Sequence, residues 1–127
     1  MALIPLNTFR TMTKILDTNS SATVYTAPIG VTAIVLMAQV SNVDVIDRSV
    51  SFTHHRNFRV LPNAQGNNGQ DANVDTELVK GFLIPPADSA SLITGKMIVE
   101  SQDSIRAFAD STGTCKLILS ILETANA

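Results

Sequence analysis

Apolar and polar residues alternate along most of this chain, and that two-residue period limits its possible folds more than any other feature. A strand sends successive side chains to opposite faces, whereas a helix needs an apolar stripe recurring every three to four residues. In Asp47–Arg59, Val50, Phe52, His54 and Phe58 share one face, while Ser49, Ser51, Thr53, His55 and Asn57 share the other. Thr8–Leu16 behaves alike, with Phe9, Thr11, Thr13 and Ile15 on one side. Thr23–Ala27, Asp75–Ile84, Lys96–Glu100, Ser104–Ala109 and Thr114–Glu123 continue the series. Turn chemistry separates these segments at Asp17–Ser21, Pro28-Ile29-Gly30, Pro85-Pro86, Ser101-Gln102-Asp103 and Asp110–Gly113. Short polar side chains there bond their own backbone, and Pro and Gly set the special dihedrals.

Two segments are apolar on both faces: the middle of Val31–Val43 (Ile34, Val35, Leu36, Met37) and Leu117–Leu122. That pattern marks central strands, covered on both sides or packed against a neighbouring subunit. Leu61–Asn73, with Pro62, Gly66 and Gly69 among Asn, Gln and Asp, has no periodic pattern and is expected to be the longest loop. Asp88–Thr94 is expected to form a helical turn or two, capped by Asp88 and stopped by Gly95. The expected fold is all-β: an antiparallel β-sandwich, jelly-roll-like, of about eight strands with at most one short helix. The 127 residues suit one domain, 1–127.

Composition excludes several classes of function. Nine Lys and Arg against eleven Asp and Glu leave a net charge of −2, a poor match to nucleic acid. With 45% apolar and 16% charged residues, the chain lacks the balance of a disordered protein. It has no Trp and one Tyr, which leaves little for stacking on sugars or bases. The longest largely apolar stretch, Val31–Val40, is half what a membrane-crossing helix needs, and Met1–Phe9 has no cationic lead of a secretion signal. Neither a membrane partner nor export is expected.

Catalytic and metal chemistry were sought residue by residue. Cys115 is the one cysteine, so no disulfide or cysteine-rich metal site can form within the chain. His54 and His55 are adjacent and so point to opposite faces of a strand, where one metal cannot readily take both. Asp71, Asp75 and Glu77 form an acidic cluster that matches only the first half of a calcium loop, with Phe82 where the bidentate Glu would stand. Gly66-Asn67-Asn68-Gly69 has the letters of a nucleic-acid clamp without the flanking helices. No nucleophile elbow and no cofactor motif is present, so no catalytic, metal or cofactor residues are assigned. Arg48, Arg56 and Arg59 make a basic stretch that offers docking against an acidic neighbour, and Asp71, Asp75 and Glu77 offer the converse.

Several segments together resemble small virion structural proteins of tailed bacteriophages, particularly those infecting cyanobacteria. They are Val24–Val35 (VYTAPIGVTAIV), Gln39–Val43, Thr76–Lys80 and Leu117–Glu123. The likeness extends over most of the chain, and its motifs are structural. It implies a β-rich, non-enzymatic virion protein assembled in the host cytoplasm, most plainly a capsid decoration or cement protein. Its partners would be further copies of itself, a trimer by analogy, and virion proteins such as the major capsid protein or tail components. Neck, baseplate and tail-fibre attachment roles are the alternatives, along with a host-surface glycan-binding module using the Leu61–Asn73 loop.

Overall fold

The structure, a computed structural model, describes residues 7–57, 59–62, 68–71 and 73–125, and within 58–72 the backbone alone. The strands are β1 (Asn7–Ile15), β2 (Thr23–Thr26), β3 (Val31–Asn42), β4 (Arg48–Arg56), β5 (Arg59–Pro62) and β6 (Asn68–Asp71). They continue with β7 (Val74–Ile84), β8 (Asp88–Ser91), β9 (Met97–Val99), β10 (Ser104–Ala109) and β11 (Cys115–Ala125). All pairings are antiparallel. Sheet I runs β1-β11-β3, with β8 and β9 both on the far side of β3; sheet II runs β2-β10-β4-β7. Because β8 pairs with Gln39–Asn42 and β9 with Ala33–Val35, the two share one lateral position. Each sheet therefore has four strand positions; the chain crosses between sheets at every step except β4 to β7 and β8 to β9, with the β5–β6 ladder standing apart, and the first and last strands pair. This interleaving is a jelly roll.

The alternating residues meet between the sheets. Ala33, Val35, Ala38 and Val40 of β3 and Leu117, Leu119 and Ile121 of β11 are buried against Val50 and Phe52 of β4 and Ile105 and Ala107 of β10. Two-sidedness in β3 and β11 reads out as one fully buried face and one half-covered face, since Ile34, Leu36, Met37 and Leu122 are only partly buried. Strand β7 carries irregularities opposite Ser51, where Gly81 adopts φ +65° and its N–H donates to Ser51 Oγ at 3.0 Å. A side chain at Gly81 would force the left-handed conformation on a residue with a Cβ.

Two local expectations change. Asp88–Thr94 forms no helix: Asp88–Ser91 is strand β8, followed by a bend, and no helix occurs among the described residues. Asp88 Oδ1 does accept from the next backbone N–H at 2.7 Å, but the ladder to β3 supplies long-range bonds that a single helical turn cannot match. Within Leu61–Asn73, β6 and the end of β5 belong to a two-stranded ladder in which Arg59 stands opposite Asp71 and Leu61 opposite Gly69. Residues 63–67 and 72 of that segment, with Gly66 and Asn67, lie outside the described residues.

Candidate functional site

Strand β4 starts at Arg48 and ends at Arg56, so the two arginines occupy opposite ends of the sandwich. At the first end, Arg48 Nε and Nη2 donate to Asp44 Oδ2 at 2.8 and 2.6 Å, and Nη1 lies 3.8 Å from Asp110 Oδ1. The backbone N–H of Val45, first, and the Arg48 guanidinium, second, hold the Asp44 carboxyl below its ordinary range. Beside this pair, the buried Asn42 side chain donates to the carbonyls of Ile46 and Ile84, each at 2.9 Å, and of Pro85 at 3.2 Å. Its Oδ1 accepts from the Asp44 N–H at 2.9 Å. One amide thus ties the β3–β4 loop to the end of β7.

At the second end, Asp103 is wholly buried. Its Oδ1 accepts from the Asn57 N–H at 3.0 Å, and its Oδ2 lies 3.8 Å from Arg56 Nη1 and 3.9 Å from His54 Nε2. Arg56 also pairs with Glu100. The turn before β10 is held by Gln102 at φ +73° and by the Asp103 N–H donating to the Glu100 carbonyl at 2.9 Å. Arg48 and Arg56 are therefore both engaged within the chain, and a change at either breaks an internal pair before it touches any neighbour.

The outer face of sheet II gathers the other candidates. Asp75 and Glu77 stand opposite His55 and Thr53 in the β4–β7 register. His55 Nδ1 lies 2.5 Å from Asp75 Oδ1, and Lys80 Nζ lies 3.7 Å from Glu77 Oε2. Asp75, Glu77 and Lys80, with Arg106, Ser51 and Thr53, line an open depression of about 270 Å³. This surface is polar, charge-balanced and shallow. The Arg59 and Asp71 side chains lie outside the described residues. A second, apolar cleft of about 530 Å³ opens between β7 and the Ser91–Met97 stretch, lined by Leu78, Val79, Phe82, Leu92, Ile93 and Met97. Among the described residues, no three His, Cys, Asp or Glu side chains are placed to hold a metal ion. No helix among them is long and apolar enough to cross a membrane.

Sequence reasoning missed Asn42, Asp103 and the Tyr25–Glu123 pair. Tyr25 is buried, its hydroxyl donates to Glu123 Oε2 at 2.5 Å, and Arg10 Nη1 lies 3.5 Å from Glu123 Oε1. Burial first, then the bond to Glu123 and that residue's charge, push the Tyr25 phenol well above its ordinary value of 10.0. A raised folded-state pKa leaves stability untouched below the unfolded value and removes it as pH rises beyond it. Wild-type protein is therefore expected to lose stability relative to Tyr25→Phe above about pH 10, by up to about 1.4 kcal/mol per pH unit. Urea titrations of both proteins from neutral pH upward check this; parallel profiles would refute it. Because Tyr25 is the single tyrosine and there is no Trp, tyrosinate absorbance reports this group alone.

Comparisons with known proteins add little to this geometry. Neither a scan of protein-family models nor a search of curated proteins finds a match. Among solved structures, a chain from the T13 IBDV viral particle aligns with 96% of this chain at 14% identity and a TM-score of 0.30. The alignment spans 32% of that chain, and a likeness so low carries no argument about fold or role.

Proposed function

We propose that this chain is a non-enzymatic structural component of a bacteriophage virion, a decoration or cement protein that stabilises the particle through repeated contacts. The observation that carries the reading is the interleaved strand order of the two sheets, an architecture used by viral capsid domains. Fold alone is an analogy; the sequence resemblance to tailed-phage virion proteins points the same way. A β-sandwich closed at both ends by Asn42 and Asp103 is rigid, so it loses little entropy on docking. A protein that binds only the assembled lattice stabilises it by mass action, about 2.7 kcal/mol per site at a hundredfold excess over Kd.

The test uses particles prepared without this protein and then given it back. Restored particles are expected to survive heating or osmotic shock to a clearly greater extent than bare ones. Equal survival at full occupancy would reject the cement role and favour a neck, baseplate or tail-fibre position.

A further inference from the structure

The depression on the outer face of sheet II has a floor and two walls. Its floor is Ser51 and Thr53 of β4, only 4% and 9% exposed although they point away from the core. One wall is β10, where Arg106 stands opposite Thr53 and Phe108 opposite Ser51. The other is β7, where Glu77 stands opposite Thr53 and Asp75 opposite His55. Short hydroxyl side chains between longer ones make the hollow, and its walls stand two strand spacings apart, roughly 10 Å. Ser20 and Ser21, from the turn ahead of β2, also line it.

Arg106 sets this place apart. Arg10, Arg48 and Arg56 pair with Glu123, Asp44 and Glu100, whereas Arg106 has no carboxylate partner among the described residues. Its Nε is buried and makes no hydrogen bond among them. A half-buried guanidinium in that state has given up water and gained no acceptor from the protein. Across the hollow the acids are only partly engaged. Asp75 Oδ1 faces His55 Nδ1, and Glu77 Oε2 stands 3.7 Å from the exposed Lys80 amine. Both carboxylates are close to half exposed and keep oxygens open to a ligand.

We propose that this hollow binds one unit of an uncharged saccharide, a sugar ring with neighbouring hydroxyls. The arrangement of donors and acceptors chooses the class. Arg106 only donates, and ionised Asp75 and Glu77 only accept. A ligand that meets both walls must therefore accept on one side and donate on the other. Hydroxyls do both, so a ring bearing several of them serves the two walls and the Thr53 hydroxyl between them. A ligand carboxylate would suit Arg106 but meet repulsion from Asp75 and Glu77, and an ammonium meets the reverse conflict with Arg106 and Lys80. Phe108, half-buried beside Ser51, offers a ring for the C–H side of a sugar, which a small zwitterion leaves bare. One aromatic ring and an open hollow of about 270 Å³ limit the contact, so the Kd is expected on the order of 1–10 mM. The saccharide contact considered for the Leu61–Asn73 loop thus moves to sheet II, and it stands whether or not the chain decorates a particle.

Proton–nitrogen correlation NMR of the labelled full chain tests it, with glucose, galactose, mannose and N-acetylglucosamine each titrated to about 50 mM. At least one is expected to shift the amides of Ser51, Thr53, Glu77, Arg106 and Phe108 saturably, leaving those of sheet I in place. Glucuronate and glycine, as the anionic and zwitterionic probes, are expected to bind at least about threefold more weakly. Arg106→Ala and Glu77→Ala are each expected to weaken binding about tenfold, with the rest of the spectrum unchanged. Should Arg106→Ala fail to fold, Glu77→Ala, at an exposed strand position, carries the test. Absence of saturable shifts with all four sugars, shifts confined to another surface, tighter binding of glucuronate or glycine, or unchanged binding by the folded variants would overturn the proposal.

Discussion

Asn42→Ala is expected to lower the unfolding free energy by about 3 kcal/mol, the largest loss from any single polar side chain here. The substitution removes four bonds made by a side chain that is 1% exposed: the one to the Ile84 carbonyl is buried, and those to the Ile46 and Pro85 carbonyls and from the Asp44 N–H are part-buried. Buried backbone groups left without partners cost about 1–3 kcal/mol each, and partial entry of water offsets some of that sum. In urea the midpoint should fall by about 1.5 M, and the melting temperature by about 10 °C. Asn42→Asp should be no better than alanine, because it keeps the acceptor for Asp44 N–H but sets a carboxylate against carbonyl oxygens. Recovery of most of the stability by aspartate would show that the donated bonds contribute little.

Asp103→Ala is expected to cost about 2–3 kcal/mol. The loss comprises the acceptor for the Asn57 N–H and the negative charge facing Arg56 and His54. Removing one member of a fully buried pair commonly costs about 3–5 kcal/mol; here Arg56 retains Glu100, which moderates the figure. Asp103→Asn keeps an acceptor for Asn57 and should recover about half the loss. Urea denaturation of the two variants separates the hydrogen bond from the charge. Equal and small losses, below about 0.5 kcal/mol, would mean that the carboxylate is not what closes this end.

The strands were legible because each one's period is local. Val31–Val43 was expected where β3 spans Val31–Asn42, and Asp47–Arg59 where β4 spans Arg48–Arg56. Two-sided apolar patterning also placed β3 and β11 at the centre of a sheet, and there it is β11 that lies between β1 and β3. Asn42 and Asp103 were not legible, since Asn42 reads in isolation as the polar end of a strand and Asp103 as turn chemistry. Their partners come from segments far along the chain: Ile84 is 42 residues from Asn42, and Asn57 is 46 residues from Asp103. The pairs of Arg48 with Asp110 and of Arg56 with Glu100 were hidden in the same way, because those partners meet the arginines only after the sheets close, whereas Asp44, the nearer partner of Arg48, is four residues away. At Asp88 the error ran the other way. A side chain that bonds the following N–H suits a helix start and a strand start alike, and only the ladder to β3 decides.

The position of β11 also governs how the chain is made. It is the last of the strands to leave the ribosome, yet it supplies the middle of sheet I, with β1 on one side and β3 on the other. Until it arrives, β1 has no partner in that sheet and β3 presents an open edge of twelve residues beneath a bare apolar surface. From the emergence of β3 until that of β11 these aggregation-prone edges therefore stay uncovered, and one late, long-range step completes them.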